Sequence, residues 1–146
     1  MANIFNTARY ILNECGSMST WKLQKLCYYS QAWSLAWTGK PIFPEDFEAW
    51  SNGPVCPDLF NVHKGLFTVS LPDIPAACES KSGLNHDQVE TIDNVLGEYG
   101  EMEPYELREQ THMEKPWKDA RGDLPDGARG HGKITKEAMG EYYGSL

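Results

Sequence analysis

Apolar positions recur at helical spacing through most of the chain. Ile4, Ala8, Ile11, Leu12 and Cys15 mark a helix over residues 3–15, with Asn3 placed to cap its start and Gly16 to end it. Ser19 or Thr20 opens a second helix to about Trp37. Leu23, Leu26, Cys27, Ser30, Trp33 and Trp37 form one stripe of it, while Tyr28, Ala32, Leu35 and Ala36 cover much of the remainder. A helix apolar on most sides belongs at the centre of a fold. The period then changes to two over residues 46–50, a short strand whose core face carries Phe47 and Ala49 and whose other face carries Glu48 and Trp50. Asn52-Gly53-Pro54 reads as a turn. Pro57 and Asp58 start a short helix over 57–64 that points Leu59 and Val62 inward and ends at Gly65. Residues 67–69 predict a second strand pairing with 46–50, and 71–84 a loop.

Asn85 and Gln88 have the spacing of a capping box for a helix that points Val89, Ile92, Leu96 and Tyr99 inward and ends at Gly100. Pro104 starts another, to about Met113. Thr135 caps a last one, with Ala138, Met139 and Tyr142 facing the core. These patterns predict a mainly α, compact helical fold of about five to six helices with a small two-stranded antiparallel β element. A single domain is expected over residues 1–146, with 122–133 as a flexible loop.

Composition narrows the function. The chain has 146 residues and a formal charge of −8. Domains that hold nucleic acid by neutralising phosphates are usually basic, so direct nucleic-acid binding is not expected. No apolar run approaches a membrane span, and the N-terminus lacks the pattern of a secretory signal; a cytoplasmic protein without membrane contact is expected. Cys15, Cys27, Cys56 and Cys78 are widely spaced and read as reduced thiols. Cys56 and His63 are the one pair that meets across two helical turns, too little for a zinc site; neither metal nor cofactor is expected. Charge is also uneven. Residues 1–70 carry five bases and five acids, and residues 71–146 eight bases and sixteen acids, so the whole net charge lies in the second half. Within it, residues 79–126 hold thirteen acids against five bases, and Glu98, Glu101, Glu103, Glu106 and Glu109 are answered only by Arg108. Such a run is either a solvated face or a negative surface that steers and docks a basic partner.

Three clusters are distinctive: residues 22–33, from Lys22 through Gln24, Lys25 and Tyr28 to Trp33; residues 48–55, with Trp50, Gly53 and Pro54; and residues 107–117, with Arg108, Thr111, His112 and Trp117. In this order and near these spacings the chain resembles the Panacea domain, the SocA-like antitoxin family, from about Ile4 to the last helix. The resemblance implies an antitoxin role by direct binding to a cognate protein toxin. Toxins paired with this family include enzymes that modify or cleave tRNA or synthesise alarmones, members occur in prophages, and one acts as an adaptor to a protease.

The residues themselves leave alternatives open. Gln24, Tyr28 and Gln31 share one helix face and Lys22, Lys25 and Tyr29 the adjacent one. Gln24 and Lys25 either pair internally or line a groove used by a partner. Trp50 either packs on the second helix or stands out as an interface anchor. Tyr105, Arg108 and His112 share a face of the 104–113 helix, with Leu107 and Thr111 inward. His112 either bonds a neighbouring backbone group or serves as base to Cys27 or Ser30 in a small hydrolase or transferase. Trp117 plugs the edge of the core. Residues 129–133 lack the context of a phosphate-binding loop. The candidate contact residues are thus Gln24, Lys25, Tyr28, Trp50, Gly53, Pro54, Glu103, Glu106, Arg108, Glu109, Thr111, His112 and Trp117, with no catalytic set.

Overall fold

The computed structural model describes residues 2–76 and 83–146; Cys78 and part of the 71–84 loop lie outside them. Helix α1 (Ile4–Cys15) is set by its cap: the Asn3 side chain accepts from the backbone of Phe5 and Asn6, and Asn6 accepts from Asn3 N at 2.8 Å. Its Ile4, Ala8, Ile11 and Leu12 are buried against α2 (Thr20–Thr38), which starts at Ser19 and ends at Gly39 in the left-handed conformation. Helix α2 is the axis of the fold. Residues on nearly all its sides are buried, and α1, α4, α5 and α7 all pack on it.

Burying polar residues of an axial helix demands partners, and for Gln24 and Gln31 the backbone supplies them. Gln24 accepts from Cys56 N at 2.8 Å and donates to Cys56 O and to His63 Nε2. Gln31 accepts from Ile42 N and donates to Phe43 O at 2.7 Å. Each glutamine thereby locks an irregular segment to α2.

The β structure differs from expectation. Strand β1 (Met18–Ser19) pairs with β4 (Thr68–Val69), while β2 (Phe47–Trp50) lies between β3 (Gly53–Val55) and β5 (Lys133–Ile134), all antiparallel. Residues 67–69 therefore do not pair with 46–50. Ser51 and Asn52 alone make the turn, so Gly53 and Pro54 become strand residues opposite Trp50 and Ala49. A tight hairpin closes a far shorter loop than a strand arriving from residue 67, which makes it the cheaper partner.

Helix α3 (Pro57–His63) buries Leu59 as expected and also His63. Helix α4 (His86–Tyr99) has the anticipated Asn85–Gln88 capping box and buries Ile92 and Val95. Helix α5 (Pro104–Met113) is followed at once by α6 (Lys115–Arg121), which the sequence pattern did not reveal. Helix α7 (Lys136–Gly144) is capped by Thr135. Met139 and Tyr143, four residues apart, fill its inward row; Tyr142, expected there, is only half-buried. The described residues thus form seven α-helices with two small sheets, a mainly helical fold.

A buried carboxylate joins three of these helices. Glu114, at the α5–α6 junction and 4% exposed, accepts from Tyr29 OH of α2 at 2.8 Å, from Tyr143 OH of α7 at 2.7 Å and from Gln110 at 3.0 Å. Tyr29 also stacks on Tyr99 of α4 with ring centroids 4.0 Å apart.

Candidate functional site

The three distinctive clusters, far apart in sequence, meet at one place. Lys25 comes from α2, Gly53 from the start of β3, and Arg108, Thr111 and His112 from α5. Lys25 is 1% exposed. Its side chain runs beneath Gly53: a Cβ there would lie 2.7 Å from Lys25 Cε, 3.2 Å from its Nζ and 3.1 Å from Thr111 Oγ1. Gly53 also has φ +118°, a conformation that side-chain-bearing residues rarely adopt. Both facts require glycine. Thr111 turns its hydroxyl back to donate to Arg108 O at 2.9 Å.

The Lys25 amine has no hydrogen-bond partner, and no carboxylate pairs with it among the described residues. The amine lies over the face of Trp21, 5.0 Å from Nζ to the ring centroid. Burial, with a lesser contribution from the Arg108 charge, pushes the Lys25 amine down to about 7. His112 lies flat on Trp117, centroids 3.8 Å apart, with its Nε2 buried and unpartnered. Burial first, then Arg108 and Lys25, lower the imidazole to about 4. Arg108, 38% exposed, reaches Glu109 at 3.4 Å. The site is a closed basic cluster: a buried, unpaired amine, a neutral imidazole stacked on Trp117, and a partly exposed guanidinium.

Trp117 fixes the α6 side of this cluster. It is buried, its Nε1 donates to Trp50 O at 2.9 Å, and Arg121 lies over its ring. Arg121 was not flagged by sequence. It donates to Ala49 O, Pro125 O and Asp126 O, and so ties α6 to β2 and to residues 122–132. Those residues hold no helix or strand, and Gly132 O accepts from Ala49 N at 2.8 Å.

The family model of the SocA-like antitoxin, Panacea domain, matches residues 23–118, a span that contains Lys25, Gly53, Arg108, Thr111, His112 and Trp117 but not Trp21. The chain belongs to this family. No curated protein and no solved structure matches it. The matched span leaves α1, α7 and residues 122–132 outside, narrower than the resemblance running from Ile4 to the last helix. No helix of the described residues is long and apolar enough to cross a membrane.

Within this Panacea domain the other candidates separate into interior and surface. Gln24, Tyr28 and Pro54 are buried, and Tyr28 packs edge-on against Phe47 and Tyr143. Trp50 is half-buried and packs not on α2 but against Phe60 of α3, while its Nε1 donates to Glu48 at 2.8 Å. Glu103, Glu106 and Glu109 are exposed on α5, with Glu106 accepting from Glu103 N at 2.7 Å as the helix cap.

The Cys27–His112 and Ser30–His112 pairs lose their nucleophiles. Cys27 is fully buried, burial pushes its thiol well up, and its titrating neighbour is Cys56. Ser30 is buried and donates to Leu26 O. Cys56, pushed up to about 12 by burial, and His63 both attend Gln24. Among the described residues no group of three His, Cys, Asp or Glu side chains could hold a metal ion. Two features of the cluster, the Trp21 contact and the unpaired state of Lys25, were missed in sequence. Trp21 lies one helical turn before Lys25, the spacing at which an indole can cover an ammonium.

Proposed function

We propose that this Panacea domain is a non-enzymatic, cytoplasmic antitoxin that neutralises a cognate toxin by direct protein–protein binding. The family match carries the reading. Two features of the chain support it. The clusters that characterise the resemblance meet around Lys25 and Gly53 rather than in separate parts of the core. The exposed carboxylates of α5 stand beside the third of them in sequence, and such a surface draws in a protein with a basic face, as enzymes acting on RNA present.

The test is genetic and direct. An adjacent gene encoding a toxic enzyme is expressed with and without this protein. Growth restored by co-expression, together with a stable complex of the two purified proteins, is the expected result. Equal killing in both cases rules the proposal out.

A further inference from the structure

Helices α2 and α4 leave an open groove of about 400 Å³ between them. Trp33 and Trp37, one turn apart, line it from α2; Asn94, Val95, Glu98 and Tyr99 line it from α4. Its aromatic part is held in place. Trp33 Nε1 donates to Tyr99 OH at 3.0 Å, and its ring packs on Tyr143 with centroids 5.4 Å apart. Tyr99 is in turn stacked on Tyr29. Trp37 stacks on Trp33 with centroids 5.1 Å apart, yet it is 53% exposed, the one exposed tryptophan among the described residues. The groove is also of one charge sign. No base lines it, and α4 carries neither Lys nor Arg. Glu90 of that helix meets His86, and Asp93 accepts from Tyr10 OH. The exposed Glu98 has no ion pair and no side-chain hydrogen bond among the described residues. A carboxylate without a counter-ion beside three aromatic rings is the chemistry that holds an organic cation. The rings attract it through their faces, and the acid supplies the opposite charge.

We propose that this groove docks one arginine side chain of the bound partner protein, its guanidinium against the Trp33–Trp37 pair and its N–H donors on the Glu98 carboxylate. That the arginine belongs to a toxin rests on the antitoxin reading; the preference of the groove for a guanidinium does not. Arginine fits better than lysine because its head group is planar, stacks on an indole, is less strongly hydrated than an ammonium and forks two donors to one carboxylate. The groove has room for the stem of such a side chain as well as its head. A partner steered in by the acidic surface arrives with a basic face, so a cation is the group it brings to the contact. Trp and Arg are the residue types that most often carry the affinity of an interface. Trp37 supplies one half of such a pair before the partner arrives with the other. A second copy of this chain is the poorer occupant, because at a charge of −8 it meets its own repulsion.

The experiment has two arms. In the first, the full chain is titrated with N-acetyl-arginine amide, with its citrulline analogue, which keeps the shape and lacks the charge, and with N-acetyl-lysine amide. The indole N–H resonances of Trp33 and Trp37 are followed. Saturable shifts with the arginine compound are expected, with binding weaker by about threefold or more for the citrulline analogue and weaker for lysine. Glu98→Gln and Trp37→Ala should both weaken it, read on Trp33. Both replaced residues are exposed, and thermal unfolding checks that both variants keep the fold. A citrulline response equal to that of arginine overturns the cation site, and tighter lysine binding overturns the choice of arginine. Sedimentation that shows a wild-type dimer abolished by Trp37→Ala gives the groove to a second copy and overturns the partner. In the second arm, the toxin identified by growth rescue is titrated into wild type and both variants. A loss of affinity of about tenfold or more in Trp37→Ala, with a smaller loss in Glu98→Gln, is expected. Unchanged toxin affinity in both variants overturns the partner as source. If no toxin binds wild type, the antitoxin reading falls while the first arm still decides the groove.

Discussion

Lys25 holds an amine where neither a carboxylate nor a carbonyl reaches it. Replacing it with methionine, similar in length and without charge, removes the desolvation and keeps the packing. Lys25→Met is expected to stabilise the fold by about 1–3 kcal/mol in urea unfolding at pH 7. The sign can be checked with pH. With the folded amine near 7 and the unfolded one at 10.5, both states are protonated below pH 7 and the full penalty acts. Between 7 and 10.5 the unfolded chain holds the extra proton, so raising pH stabilises the fold. The advantage of Lys25→Met should therefore shrink steadily from pH 7 to 9.5; a constant gap would contradict the burial account. Gly53→Ala brings both a strained backbone and a Cβ against the lysine stem, and is expected to cost about 1–3 kcal/mol by the same measurement. Sequence left Lys25 open between an internal pairing and a partner groove, and read Gly53 as part of a turn. Lys25 lies between Gln24 and Leu26 with nothing in its spacing to say that it is buried, because a charge beside an apolar stripe usually marks solvent.

Helix starts were the most legible elements, since caps are local chemistry. Asn3, Ser19, Asn85 and Thr135 all act where the pattern placed them. The strand partner of residues 46–50 was not legible, because two- and four-residue strands carry too little alternation to choose among neighbours. Helix α6 was hidden for a similar reason: seven residues give barely two turns, and Pro116 near its start reads as a break. Glu114 was invisible as a core residue. It is one acid among many until α5 and α6 meet and turn it between Tyr29 and Tyr143. Removing it strands two buried hydroxyls. Glu114→Ala is expected to cost about 3 kcal/mol or more in chemical denaturation. Tyr143→Phe, which breaks one of the three bonds to Glu114 and also the hydroxyl contact with buried Tyr28, should cost less, about 1–2 kcal/mol. Equal losses from the two would show that the network is not what joins α2, α5 and α7.

For the whole molecule, the mainly helical class was legible and the meeting of the three clusters was not, since convergence depends on how α5 docks on α2 and β3. The charge of −8 was legible as a sum and even as a segment, yet it concealed a cluster of basic side chains, Lys25, Arg108 and His112, two of them carried by the acidic helix α5 itself. Reversing Glu103 and Glu106 to Lys leaves Arg108 and its partner Glu109 untouched. The double variant is expected to slow toxin association and flatten its dependence on salt, with little change in dissociation rate, as stopped-flow mixing at several ionic strengths would show. Five tryptophans are spread through the chain, and Trp117 alone lies flat on an imidazole among the described residues. A protonated imidazole quenches an indole that it touches, and a neutral one does so far less. The stack is therefore a built-in optical gauge: acidifying the protein toward pH about 4, where His112 takes up its proton, should dim Trp117 without any label.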